Sequence, residues 1–197
     1  MDNSSTDNTK SLGKQLAQQY PEVNYSFIRK QGRGIALRTA WSKSNADFLS
    51  YMDVDLSTNL ADFPKLIAQL SRESDLAAGS KYLPGSNFKR SWLRLFLSRA
   101  YNKLTKIVLG INFTDAQCGF KALTQKTCKR VLPLVKDNFW FFDTELLYFC
   151  EKSGMQIAEI PVTWHENKKS GVNLLRTSIA FFLKLIELRF RTKNLRR

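Results

Sequence analysis

Apolar residues recur along this chain in two rhythms, one of helices and one of strands. Leu12, Leu16 and Tyr20 return every fourth residue behind a run of cap and turn formers at 1–9, which predicts a loop opening into a helix ended by Pro21. Residues 23–28 read as a short strand, and a helix through Trp41 follows a basic, glycine-bearing segment at 29–38. A second, apolar strand starts at Ala46 and runs into Asp53. Leu60, Phe63, Leu66, Ile67 and Leu70 then mark an amphipathic helix, with another strand at 75–80. The longest helical pattern, 91–109, has Leu93, Leu97, Ala100, Tyr101, Leu104 and Val108 on one face and Arg94, Arg99, Lys103 and Lys106 on the other. A strand at 157–164 and an amphipathic helix from Asn173 complete the pattern. Strands alternating with helices predict an α/β fold with a mostly parallel sheet flanked by helices, whose ligands bind beyond the carboxyl ends of the strands.

Composition narrows the class. A chain of 197 residues, 43% hydrophobic, is long enough for one buried domain. Its 31 Lys and Arg against 17 Asp and Glu give a net charge of +14, which favours a polyanionic partner: nucleic acid, an anionic membrane or phosphorylated substrates. Nucleic acid is disfavoured, because no base-stacking or recognition motif accompanies the basic face. Cys118, Cys128 and Cys150 lie far apart and His165 is the sole histidine, so neither a zinc set nor a disulfide framework is expected, and a reducing compartment fits. The longest nearly apolar run, 179–188, is interrupted by Lys184 and Glu187 and is too short to cross a bilayer.

The candidate chemistry begins at Asp53-Val54-Asp55. Alternation along a strand sends both carboxylates to one side, where they repel unless a cation or donor-rich ligand lies between them. Oxygen donors suit Mg²⁺ or Mn²⁺, which complete their coordination with waters and substrate phosphates, so a nucleotide diphosphate is the expected third party. Gly32 and Gly34 beside Arg33 at a helix start suit the same diphosphate. Residues 81–90 read as a mobile loop that, with the basic helix face, could hold a second anion. Asp115, just before a short strand, is a candidate catalytic carboxylate, whereas Asp143 and Glu145 read as acids capping the first turn of a helix. Basic and apolar residues interleave at 173–197, the pattern of a membrane-interface helix and tail and equally of a core-packing helix with a disordered basic tail; the first reading divides the chain into 1–172 and 173–197.

Taken in order, Asp2-Asn3-Ser4-Ser5-Thr6-Asp7, the Gly32 to Arg38 segment, Asp53-Val54-Asp55, Gly79-Ser80-Lys81-Tyr82, Ser98-Arg99, Asp115-Ala116-Gln117-Cys118-Gly119-Phe120-Lys121 and Phe142-Asp143-Thr144-Glu145-Leu146-Leu147 form a set. That set resembles the family 2 glycosyltransferases of GT-A fold that glycosylate polyprenyl phosphates, the dolichyl-phosphate glucosyl- and mannosyltransferases and their bacterial relatives. The resemblance implies an inverting, metal-dependent transfer of glucose or mannose from UDP-glucose or GDP-mannose to a polyprenyl phosphate, by a peripheral protein on the cytoplasmic face of a membrane. Asp2 would then touch the nucleobase, Arg33 the diphosphate, and Asp53 and Asp55 the nucleotide sugar and metal. Lys81 and Arg99 would face the acceptor phosphate, with Asp115 near the reacting carbon. Lys81 stands where the family usually has arginine, which exchanges a two-pronged clamp for a point charge. The family's opening strand, nucleotide-contacting loop, helix and second strand have no counterpart before Asp2. The implied fold therefore lacks its first strands, and the expected chain is marginally stable until an upstream segment is supplied; a catalytically inactive remnant is the alternative.

Overall fold

The computed structural model describes residues 1–165 and 174–193. In chain order the elements are β1 (Asp2–Asn3), α1 (Thr9–Gln19), β2 (Phe27–Ile28), α2 (Arg33–Trp41), β3 (Phe48–Met52), α3 (Phe63–Leu70), β4 (Leu76–Ser80) and β5 (Asn87–Lys89). There follow α4 (Trp92–Leu109), β6 (Phe120–Thr124), α5 (Gln125–Val131), α6 (Phe142–Lys152), β7 (Ile157–Pro161), β8 (Thr163–His165) and α7 (Leu174–Lys193). Six of these seven helices sit where the sequence pattern puts them; α5 has no counterpart in that reading. Residues 81–90 are not simply a loop, since β5 inside them pairs with β8.

The main sheet has the order β3-β6-β4-β7, with β3, β4 and β7 running one way and β6 inserted against them. That reversal positions everything that follows. Antiparallel pairing sets Met52 opposite Phe120, so the loop entering β6 arrives at the carboxyl end of β3, and Lys121 lies between Tyr51 and Ala78 at the sheet centre. Helices cover both faces, as the period-2 pattern of β4 requires: Leu76 and Ala78 join a large core with α2, α4, α5, α6 and α7, while Ala77 joins a smaller one with Leu66 and Leu70 of α3.

Two expectations change on packing. Helix α1 forms, but it buries no residue, and Leu12, Leu16 and Tyr20 remain exposed. Helix α7 is no appendage: Leu185 and Leu188 are buried in the large core, Phe181 packs against it, and Tyr148 Oη donates to Thr192 Oγ1 at 2.8 Å. Its bases are partly spent inward as well, Arg191 pairing with Glu145 at 2.8 Å and Lys184 with Asp137. The division at 172/173 and the tail at 194–197 lie outside the described residues. No helix among the described residues is long and apolar enough to cross a membrane.

Leu185→Ala should therefore destabilise the protein by about 2–5 kcal/mol, as cavities in close-packed cores do. Ile179→Ser and Leu183→Ser, on the exposed face, should stay within about 0.5 kcal/mol. Urea unfolding midpoints check both, and equal effects on the two faces would mean that α7 does not belong to the core.

Candidate active site

The site is assembled where β3 and β4 end and β6 begins. Asp53 leaves β3 with its backbone N–H donating to Gly119 O at 2.9 Å. The chain then turns tightly: Leu56 N–H donates back to Asp53 O, Leu56 sits at φ 52°, and Asp55 accepts the N–H of Ser57 at 3.1 Å. A non-glycine residue held in the left-handed region is strained, and such strain clusters at functional turns. Gly119 is required here for space, because a Cβ built on it would collide with the carboxylate of Asp53.

Arg33, at the start of α2, reaches across to this strand end. Its guanidinium lies 3.2 Å from Asp53 Oδ1 and 3.3 Å from Asp143 Oδ2, over the rings of Tyr51 and Trp140 at 4.9 Å from each centroid. Asp143 is no exposed helix cap, as the acid-first pattern of α6 implied. It is fully buried, its Oδ1 accepting from Tyr51 Oη and, at 2.9 Å, from Lys121 Nζ. Lys121 is equally buried and also donates to the carbonyls of Ala116 and Cys118, so the three donors of its ammonium meet three acceptors. Burial pushes the Asp143 carboxyl up to about 6 against the pull of Arg33, and lowers the Lys121 ammonium to about 8. Burial also raises Asp53, opposed by Arg33 and reinforced by Asp55. Glu145 does not cap α6 either, accepting instead the N–H groups of Lys136 and Asp137 at 2.7 Å in the preceding loop.

Asp115 and Lys81, inferred separately from sequence, form one buried ion pair at 2.6 Å, and the Lys81 N–H also donates to Asp115 Oδ2 at 3.2 Å. Burial opposes the charge on Lys81, but Asp115 outweighs it and the ammonium titrates above its ordinary range. The loop carrying Asp115 is pinned by Glu159 on β7, which accepts from Thr114 N–H, and by Asn102 on α4, which accepts from Ala116 N–H at 3.1 Å. Beside the pair opens a cavity of about 430 Å³ between α4 and α7. Lys81, Arg90, Arg94 and Ser98 line its polar part, Leu97, Tyr101, Leu104, Phe181 and Phe182 its apolar part, with Asp115, Gln117 and Trp140 at the junction.

Five of the expected residues thus converge: Arg33, Asp53, Asp55, Lys81 and Asp115. Two do not. Asp2 is turned inward, its oxygens accepting from Ser5 N–H at 3.0 Å and Tyr25 Oη at 2.7 Å, while its neighbour Asn3 accepts from Gly32 N–H at 2.7 Å and so braces the turn before Arg33. Arg99 is exposed over the ring of Tyr82 at 5.9 Å, outside the cavity lining. Arg90, Arg94 and Ser98 line the cavity instead. Arg94 and Ser98 share one side of α4 and Arg90 lies just before it, a spacing of four that was readable in the sequence; which stripe faces a cavity was not.

The residues present fit a divalent cation. Asp53 and Asp55 supply hard oxygens and Gly119 leaves space around one of them, while Arg33 Nη2, buried with no hydrogen-bond partner among the described residues, is a donor that suits a ligand's phosphate beside the cation. No group of three or more His, Cys, Asp or Glu gathers among those residues, so water and a ligand's phosphates would complete the coordination.

A model of the family described as Glycosyl transferase family 2 matches residues 1–132. The chain belongs to that family. It is 35% identical over 172 residues to glycosyltransferase AglD of Haloferax volcanii, covering 86% of this chain and 28% of that protein. With the dolichyl-phosphate beta-glucosyltransferase of Dictyostelium discoideum it shares 29% over 201 residues, covering 97% of this chain and 62% of that one. The chain thus spans less than two thirds of either family 2 relative. Among solved structures it resembles glucosyl-3-phosphoglycerate synthase from Mycobacterium tuberculosis, crystallised with Mn²⁺, UDP and glucosyl-3-phosphoglycerate, at a TM-score of 0.67 and 16% identity, over 95% of this chain and 67% of that one. That likeness shows the fold, GT-A, as the resemblance read from the motifs implied.

Gly119→Ala should displace the Asp53 carboxylate and weaken Mn²⁺-dependent nucleotide binding at least about tenfold, as loss of a metal's supporting shell does; calorimetric titration at unchanged melting temperature checks this. Asp143→Asn and Lys121→Met should each cost about 3–5 kcal/mol, and the double variant less than their sum, because the remaining partner of a broken buried pair is left uncompensated. Additive losses in urea unfolding would mean that the two groups do not stabilise one another.

Proposed function

We propose that this chain carries the catalytic centre of an inverting glycosyltransferase moving a hexose, glucose or mannose, from a nucleotide sugar to a polyprenyl phosphate at a membrane surface. One observation carries the reading: one cavity is lined both by Lys81, Arg90 and Arg94, fit for a phosphate, and by apolar side chains, fit for an isoprenoid chain, together with Asp115 and with Trp140, whose ring lies over the Arg33 that pairs with Asp53. The name of the Dictyostelium discoideum relative, a dolichyl-phosphate beta-glucosyltransferase, supports the substrate class. The exposed apolar side chains of Trp92, Leu93 and Phe96 on α4 and of Ile179, Phe182 and Leu183 on α7 support a membrane surface, with Phe182 also lining the cavity.

The chemistry asks for positioning more than for proton transfer. A phosphate monoester has its second pKa near ~6, so the acceptor is largely a dianion at neutral pH and needs no strong base. An acceptor oxygen attacks the sugar's anomeric carbon, forming the new carbon–oxygen bond as the bond to the nucleoside diphosphate breaks and its electron pair leaves with the diphosphate. Lys81, Arg90 and Arg94 hold the acceptor phosphate with Ser98, and Asp115 fixes the Lys81 ammonium in place. On the donor side Arg33 moves its charge from Asp53 to the diphosphate. A divalent cation held by Asp53 and Asp55 would supply further neutralisation of the leaving group.

The test is transfer of labelled glucose from UDP-glucose, and of mannose from GDP-mannose, to polyprenyl phosphate in anionic vesicles with Mn²⁺. Transfer from one donor is expected. Asp55→Ala should lower it by roughly 100-fold, the scale of losing one electrostatic stabiliser. Arg94→Ala should raise the acceptor KM about tenfold or more, the scale of one charge-assisted hydrogen bond, and Asp115→Asn should reduce turnover more than donor affinity. A folded chain that binds neither nucleotide sugar would overturn the reading and leave a non-catalytic relative.

A further inference from the structure

Four aromatic side chains in a row, Phe139 to Phe142, divide sharply. Phe141 and Phe142 are buried in the large core, whereas Phe139 and Trp140 are 55% and 51% exposed. The exposed indole is nevertheless presented by a rigid loop. Lys136 and Asp137 N–H groups donate to Glu145, Phe139 N–H to Asp137 Oδ1 at 2.7 Å, Arg38 Nη1 to Asp137 O at 2.7 Å, and Ile35 N–H to Asn138 O at 3.3 Å. Glycine is needed where α2 meets this loop, since a Cβ on Gly32 or Gly34 would strike the carbonyls of Asn138 and Asp137. A large apolar ring held half in water by so many bonds does not serve packing.

Its surroundings define what it serves. The indole lies over the Arg33 guanidinium, on the side where Asp53 and Asp55 gather, and it also lines the cavity of Lys81, Arg94 and Asp115. It therefore borders both the donor and the acceptor side. On the proposed function, which this step presupposes, a hexose must pass from one side to the other at that junction. A pyranose has apolar C–H faces and polar edges, and an aromatic ring is the surface that accepts such a face while excluding water. The polar groups of Asp115 and Gln117, in the same lining, suit the hydroxyl edges.

We infer that Trp140 is the platform on which the donor's hexose ring lies, a positioning residue that contacts the sugar rather than the nucleotide.

The experiment separates sugar binding from nucleotide binding. UDP, UDP-glucose, GDP and GDP-mannose are titrated with Mn²⁺ into wild type, Trp140→Ala and Trp140→Phe, all shown folded by thermal melts. For the preferred base, Trp140→Ala should leave the affinity for the free diphosphate within twofold, weaken that for the nucleotide sugar roughly tenfold, and raise hydrolysis of the donor relative to transfer to lipid phosphate. Trp140→Phe should restore most of the sugar-dependent affinity. Unchanged nucleotide-sugar affinity in Trp140→Ala would overturn the platform alone, and equal losses for diphosphate and nucleotide sugar would reassign the indole to holding Arg33. A wild-type chain that binds none of the four ligands would overturn the function reading and the platform with it.

Discussion

A lysine ammonium with no exposed atom sits at the centre of the sheet, and most of the site exists on its terms. Stripping water from Lys121 is costly unless a carboxylate and further acceptors replace it. Asp143 meets that demand from α6, and the loop entering β6 turns two carbonyls, of Ala116 and Cys118, toward the same nitrogen. One desolvated charge thereby ties together the middle strand, the loop bearing Asp115 and the first turn of α6. Asp143 in turn shares Arg33 with Asp53, so the constraint extends to the end of β3.

The direction of β6 makes this arrangement possible. A strand parallel to its neighbours would bring its carboxyl end to Asp53, with Thr124 in place of Gly119. Running backward, β6 brings its entry loop, which holds Asp115 beside Lys81 and leaves an open position at Gly119 for the Asp53 carboxylate. Lys81, Arg90 and Arg94 line the cavity against one acid, Asp115, so its lining shares the positive sign of the whole chain, where a phosphate would be attracted.

Helix α7 contributes in a way its amphipathic pattern conceals. One side closes the core and the cavity, and Lys184 and Arg191 pair with Asp137 and Glu145 in and beside the loop that presents Trp140. The opposite side leaves Ile179 and Leu183 in the open, and Phe182 is exposed while also lining the cavity. A single helix thereby links the apolar exterior to the geometry of the site.

Periodicity and motif order made the α/β class, the helix positions, the family and five converging site residues legible, because those depend on local spacing and on residue types that the chemistry cannot exchange. A strand's alternation pairs Asp53 with Asp55, but β3 ends at Met52 and it is the tight turn after it that keeps the two acids close enough to interact. The direction of β6, the joining of Asp115 with Lys81, the inward turn of Asp2, the placing of Arg90 and Arg94 but not Arg99 in the cavity lining, and the burial of Asp143 depended on tertiary structure. Each depends on which distant segment lies alongside. An acid at a helix start reads the same whether it faces water or a buried lysine 22 residues away in the chain, and a basic stripe reads the same whether or not another helix encloses a cavity against it. Desolvation and partner choice arise only when the chain is packed, and in this protein those two effects convert a scatter of charged residues into a site.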